Sequence, residues 1–207
     1  MVVGACIPNT RGLRLLTLLA LPLAGLLVAG KGAAAQQPSA DAQLAQAKAA
    51  LAKYQDPMMA VREGYFSTVA CVDFPTGGGE HEMAYKPGGM GVHFLNTAMI
   101  GPTLDPSRPQ VLIYEPVGDR LELAAAEWFV PVMPGMKAAP MVFGQSLQGP
   151  MEGHAPIMPP GLHHWDLHVW LWKNNPSGMF SPTNPDVKCP KGAYSFSGDA
   201  PKMVMPQ

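Results

Sequence analysis

Three residues far apart in the chain have the side chains that a metal or catalytic site requires. His93 stands in Gly89-Met90-Gly91-Val92-His93-Phe94, where Gly89 and Gly91 on the same strand face would leave an opening beside the ring, His168 in the run Asp166 to Trp172, and Glu127 between Ala126 and Trp128 in an otherwise apolar segment. Neutral imidazole is the commonest side-chain ligand for Zn and Cu, and a carboxylate in a buried segment needs a cation or hydrogen-bond donors beside it. His93, His168 and Glu127 therefore form a candidate two-His, one-carboxylate metal site, with Zn or Cu as suitable ions. The alternative is structural: one His donating to a backbone carbonyl and Glu127 pairing with an Arg or a backbone amide. No His-x-His or Glu-x-x-His pair is present, so any such site must be assembled from separate strands.

A secondary metal candidate lies in the stretch Met151-Glu152-Gly153-His154-Ala155-Pro156-Ile157-Met158, followed by His163 and His164. Thioether and imidazole together suit copper, although Met is also a flexible filler of core gaps. Trp170 and Trp172 project from one face of a strand with His168 and form a candidate ligand platform; large aromatics also serve as core. Glu115 and Glu122 would face each other in a hairpin, a placement that glycoside chemistry could use. Gly144-Gln145-Ser146-Leu147-Gln148-Gly149 has one residue too many for a nucleophile elbow.

The elements that would carry these groups follow from periodicity. From Asp41 to Tyr65 the apolar positions recur at three- and four-residue steps, which predicts two helices, about 41 to 54 and 57 to 64, kinked at Asp56-Pro57. Short strands follow at Phe66 to Val72, Met90 to Asn96, Gln110 to Glu115, Leu121 to Val130 and Asp166 to Trp172. Pro116 to Arg120 joins two of them as a hairpin whose faces are both largely apolar, so both are expected to be covered. Two glycine-rich turns bracket a polar loop holding Glu80, His81 and Glu82. Met133 to Pro160 is a long Pro-, Gly- and Met-rich excursion with little periodicity.

The N-terminus indicates where the protein works. Arg11 and Arg14 precede an apolar run from Leu15 to Ala29, and Ala33-Ala34-Ala35 offers a small-residue cleavage site, the layout of a secretory signal peptide over residues 1 to 35. The run is shorter than a spanning helix needs, so no integral membrane segment is expected after cleavage. Loss of Arg11, Arg14 and Lys31 leaves 11 basic against 15 acidic residues, a balance that suggests neither nucleic acid nor an anionic membrane surface as partner. Cys6 leaves with the signal, and the remaining pair, Cys71 and Cys189, is most simply a disulfide in an oxidising compartment.

Three blocks, Gly88-Gly89-Met90-Gly91-Val92-His93, Asp166 to Lys173 with Asn175-Pro176 and Gly178-Met179-Phe180, and Asn184-Pro185-Asp186-Val187-Lys188-Cys189, resemble those of a group of small exported bacterial proteins without an assigned biochemistry. The resemblance covers residues 54 to 190 and implies bacterial export and a shared single domain, with no catalytic role attached. Pro159-Pro160-Gly161-Leu162-His163-His164 also resembles the Pro-x-Gly-x-x-His of cupin barrels, but that family's His-x-His and Glu are missing.

The expectation is an α+β domain over residues 36 to 207, with a kinked N-terminal helix pair packed on a mostly antiparallel sheet or small open barrel. Its expected function is that of a periplasmic or secreted binding protein with a His-centred metal or small-molecule pocket. A metal-dependent periplasmic enzyme and a structural envelope or interaction module without a small-molecule site are the alternatives.

Overall fold

The computed structural model describes residues 38–79, 85–192 and 194–204. Residues 1 to 35, for which a signal peptide is expected, and the loop with Glu80, His81 and Glu82 lie outside the described residues. Ser39 caps α1 (Ala40–Leu51) by accepting from the Ala42 amide. A 3₁₀ turn (Ala52–Gln55) follows, and Asp56 then caps α2 (Pro57–Arg62), its carboxylate accepting from the Met58 amide at 3.0 Å. Pro at the first helical position has no N–H to satisfy there, so Asp56-Pro57 ends one helix and starts the next at little cost. No helix among the described residues is long and apolar enough to cross a membrane.

The strands are β1 (Phe66–Phe74), β2 (Gly88–Leu95), β3 (Val111–Val117), β4 (Arg120–Pro131), β5 (Met141–Val142), β6 (Gln145–Ser146), β7 (Gln148–Met151), β8 (His164–Val169) and β9 (Ser195–Ser197). Seven of them form one curled half-barrel sheet in the order β7-β8-β4-β3-β2-β1-β9, all neighbours antiparallel except β1 and β9. The α+β architecture with a helix pair on a mostly antiparallel sheet is therefore present. The β3–β4 hairpin closes through Val117-Gly118-Asp119-Arg120 with Val117 paired to Arg120. A bulge between Ile113 and Tyr114 gives Ile113 the partner Ala125, while Tyr114 keeps Leu123.

Two expectations are corrected. The excursion after Met133 is not structureless: β5 and β6 form a small hairpin of their own, and β7 adds an edge strand to the main sheet. The last long strand runs from His164 to Val169, starting and ending earlier than the alternation suggested.

Both faces of the sheet are covered. On one, Leu112, Tyr114, Trp128, Leu167 and Val169 pack against Ala47, Leu51, Tyr54 and Ala60 of the helical segment. Two buried tyrosines fix that contact: the Tyr114 hydroxyl donates to the Tyr54 carbonyl at 2.7 Å, and the Tyr65 hydroxyl to the Pro109 carbonyl at 2.7 Å. On the other face, Val111, Ile113, Ala125 and Trp170 meet Val187 of the C-terminal segment, while Tyr85, Met90 and Met151 pack with Phe196, Ala200 and Met203. Helices cover one side of the sheet and irregular chain the other.

Cys71 of β1 is bonded to Cys189, 118 residues away, just before the chain returns as β9 beside β1. The bond ties the segment that covers the second face to the sheet itself. Closing a loop of that length contributes about 4–5 kcal/mol in the chain-entropy model. Cys71→Ser with Cys189→Ser is expected to lower denaturant stability by up to that amount; an unchanged midpoint and slope in urea would show that the C-terminal cover holds without the bond.

Candidate metal centre

Strand alternation fixes which side chains share the second face. Glu127 of β4 and His168 of β8 are direct cross-strand partners, and His93 of β2 lies on the same side with Val111 and Ile113 of β3 between them. β2 and β8 are three strand intervals apart, about 14 Å along a flat sheet. The His93 and His168 ring centroids are only 6.2 Å apart. The curl of the sheet and the reach of the side chains bring both rings beside Glu127.

All three residues are buried: His93 is 0%, His168 1% and Glu127 2% exposed. The Nε2 atoms of His93 and His168 each stand 3.7 Å from the same carboxylate oxygen, Oε2 of Glu127, and one donor atom from each residue lies within 4.8 Å of the others. The 3.7 Å contacts are too long for hydrogen bonds. Two ligands each about 2.1 Å from a tetrahedral ion stand about 3.4 Å apart, so the observed spacing approaches that of donors around a shared cation.

His164 and Asp166 complete the layer. β8 turns His164, Asp166 and His168 to one face, all buried. Asp166 Oδ1 lies 3.7 Å from Nδ1 of His168, and its Oδ2 lies 3.5 Å from Nε2 of His164. A carboxylate on the far nitrogen of a ligating His is the arrangement that fixes tautomer and ring orientation at metal sites. A His-x-Asp-x-His repeat beginning at His164 is the signal in the sequence; starting the strand at Asp166 concealed it.

The hydrogen-bond inventory separates this layer from the rest of the core. Elsewhere among the described residues, Oε1 of Gln148 excepted, buried polar side chains are satisfied by backbone: Asn96 donates to the Glu63 carbonyl, Gln110 donates to the Met99 carbonyl and accepts from the Phe129 amide, and Asn175 donates to the Thr183 carbonyl. In the His layer, both ring nitrogens of His93 and of His168, Oε2 of Glu127, Oδ1 of Asp166, Nε2 of His164 and Nδ1 of His154 have no hydrogen-bond partner in the protein. Native interiors rarely leave such atoms unpaired, and their concentration in one place points to shared protons or a bound cation.

The electrostatics agree with that reading. Burial, reinforced by the neighbouring His168 and His154, lowers the His93 pKa to about 3. Burial raises the Glu127 pKa to about 7 against the opposing pull of His168. Burial also opposes charge on His168, but Glu127 and Asp166 outweigh it and raise that pKa. Asp166 is disfavoured as an anion by burial, yet His164 and His168 hold its pKa below the ordinary carboxylate value. Tyr85, whose hydroxyl donates to Met151 Sδ at 3.7 Å, is raised by burial and by the carboxylates of Asp166 and Glu127. Protons held near His168 and Glu127 are the ones an incoming cation displaces.

The remaining candidates are placed as follows. Gly89 and Gly91 do not leave an opening beside His93: Val187 packs on Gly89, and at Gly91, where φ is +96°, a Cβ would stand 2.6 Å from the Tyr114 carbonyl oxygen. Trp170 and Trp172 do not form one platform, because β8 ends at Val169 and the alternation stops there. Trp170 is buried with its indole N–H donating to the Ser181 carbonyl, whereas Trp172 packs toward the helical side and lines a surface cavity of about 770 Å³ with Gln55, Asp56, Arg120 and Glu122. Of the secondary metal candidates, Met151 is buried against Tyr85, Met158 is buried and Glu152 half-buried, while His154 turns its ring toward Phe74 and His164. Glu115 and Glu122 do face each other, but Glu115 pairs with Lys173 at 2.7 Å and Glu122 approaches Arg120 at 3.5 Å, so each has its own cation.

The two principal shifts act on stability with opposite signs in the metal-free protein. His93 is lowered from 6.5, so folding excludes its proton and stability falls as pH drops from about 6.5 toward 3. Glu127 is raised from 4.5, so its contribution is full in acid and is lost as pH rises through about 7. Metal-free Glu127→Gln is therefore expected to exceed the wild type in stability at pH 8, by on the order of 2 kcal/mol, with the gap closing near pH 4.5. Urea unfolding at both pH values measures it; a variant less stable at pH 8 would mean that Glu127 serves as an ion-pair partner, since breaking a buried pair costs about 3–5 kcal/mol.

No family model matches the chain, and no curated protein or solved structure matches it either, so its functional reading rests on the chemistry of this buried layer.

Proposed function

We propose that this is an exported metal-binding protein that holds a divalent transition-metal ion through Nε2 of His93, Nε2 of His168 and a carboxylate oxygen of Glu127. The observation that carries this reading is the convergence of two imidazole nitrogens on one carboxylate oxygen at 3.7 Å inside a layer of unpartnered buried polar atoms. Two imidazoles and one carboxylate suit Zn and Cu, and the Asp166 carboxylate supports His168 from behind. Export is supported by the signal-like N-terminus and by the Cys71–Cys189 bond, which persists in oxidising compartments.

Binding is favoured over catalysis by the enclosure of the site. An open coordination position for water or substrate is the mark of a catalytic ion, and three ligands exposed by 2% or less, with Val187 packed where a glycine opening was expected, resemble a closed site instead. The small-molecule version of the pocket loses its indole wall, since Trp170 is engaged with Ser181.

Elemental analysis of protein purified from the exported fraction, followed by Zn²⁺ titration after chelation, tests the reading. The wild type is expected to bind Zn²⁺ and to gain about 2.7 kcal/mol of stability when free ion exceeds Kd 100-fold. The His93→Ala, His168→Ala variant is expected to lose the tightest equivalent while keeping its far-UV spectrum. Equal Zn²⁺ affinity in the two proteins would overturn the assignment.

A further inference from the structure

Trp172 stands apart from the other tryptophans. Trp128, Trp165 and Trp170 are 0%, 1% and 3% exposed, whereas Trp172 is half-buried and lines the cavity of about 770 Å³ on the helical side of the sheet. That volume is within the range of small-ligand clefts. Pro57, half-buried Leu121 and buried Leu123 complete the apolar part of its lining, and the exposed side chains of Gln55, Asp56, Asp119, Arg120 and Glu122 supply the polar part. An aromatic ring among aliphatic groups, edged by hydrogen-bonding side chains, suits a ligand with one apolar and one polar aspect.

The walls are fixed before any ligand arrives. The Trp172 and Lys173 amides both donate to the Ala124 carbonyl of β4, at 3.1 and 3.2 Å, and the Lys173 ammonium pairs with Glu115 of β3 at 2.7 Å. On the helical wall, the Tyr114 hydroxyl holds the Tyr54 carbonyl immediately before Gln55, and Asp56 is held by the Met58 amide. Groups already ordered in the free protein lose little entropy when they bind.

The polar groups decide the class of ligand. Among the described residues only His93, Glu127 and His168 bring three donor atoms within 4.8 Å of one another, so Asp56, Asp119 and Glu122 do not gather around one point as a metal ion requires. An organic cation is disfavoured as well, because Arg120 lies in the same wall, 3.5 Å from Glu122, and Asp56 already accepts from the Met58 amide. The lining offers a guanidinium that only donates, carboxylates that only accept and an amide that does both. A pyranose matches that mixture: each hydroxyl donates and accepts, and the C–H face of the ring is apolar enough to lie on an indole. A β-linked sugar with equatorial hydroxyls keeps that face clear.

We infer that this cavity binds a β-linked saccharide, with Trp172 and Leu121 against the C–H face of a sugar ring and Gln55, Asp119, Arg120 and Glu122 bonding its hydroxyls. The site shares no residue with the metal triad and lies on the other face of the sheet, so the two readings stand or fall separately.

Tryptophan emission of the full chain, titrated with cellotriose and with triacetylchitotriose, is the test, with spermidine as the probe for a cation. Three of the four tryptophans are buried, so a solute that changes the emission does so at Trp172. The wild type is expected to give a saturable shift with at least one trisaccharide, at a Kd on the order of 1 mM or tighter. Arg120→Ala with Glu122→Ala, two exposed side chains whose loss the fold should tolerate, is expected to weaken that binding at least tenfold while keeping the far-UV spectrum. Trp172→Ala, followed by calorimetry, is expected to abolish it. No saturable response to either trisaccharide, saturation by spermidine alone, or wild-type affinity in the Arg120, Glu122 double variant would overturn the site.

Discussion

The gathering of buried carboxylates and imidazoles without hydrogen-bond partners on one face of the sheet is the constraint around which the structure is arranged. Glu127 and Asp166 place carboxylate oxygens against imidazole nitrogens at 3.5–3.7 Å, beyond hydrogen-bond reach and with no backbone donor supplied. An uncompensated charge in such a setting costs several kcal/mol, so the layer is tolerated only if protons or a cation are shared among its members. The surrounding fold is built to maintain that enclosure. The helix pair occupies the opposite face, and irregular chain, tied to β1 by the Cys71–Cys189 bond, closes the near one.

Curvature converts sequence-distant residues into neighbours. Glu127 and His168 meet by simple cross-strand pairing. His93, two strands further along the sheet, reaches them because the sheet curls. The close approach of the Tyr114 carbonyl to Gly91 belongs to the same bend, since any side chain at that position would push β2 and β3 apart. Asp166 then links the two ends of the layer by facing His168 with one oxygen and His164 with the other.

Much of this was legible in the residues. A lone carboxylate between Ala126 and Trp128, and a His mid-strand in each of two apolar segments, are anomalies that burial must explain, and they led to the three residues that converge. The helix kink follows from Asp56-Pro57, the hairpin from Gly118-Asp119, and the disulfide from pairing the two cysteines that lie beyond the signal-like segment. What could not be read depended on strand ends and tertiary contact. β8 begins two residues earlier and ends three residues sooner than its alternation suggested, which hid His164 and separated Trp170 from Trp172. β5 and β6, of two residues each, and β7, of four with Gly149 and Pro150 at its centre, are too short to leave a periodic trace. The glycines beside His93 suggested an opening because nothing local indicates that Val187 will fill it.

X-ray absorption of the protein loaded with one equivalent of Zn²⁺ examines the central claim at the atoms concerned. Two imidazoles and one carboxylate require a first shell of nitrogen and oxygen at about 2.0–2.2 Å, with the outer-shell scattering of two rings and no sulfur at about 2.3 Å. A shell of oxygen alone, without imidazole scattering, would mean that the ion sits on the protein surface and that the converging rings hold nothing but protons.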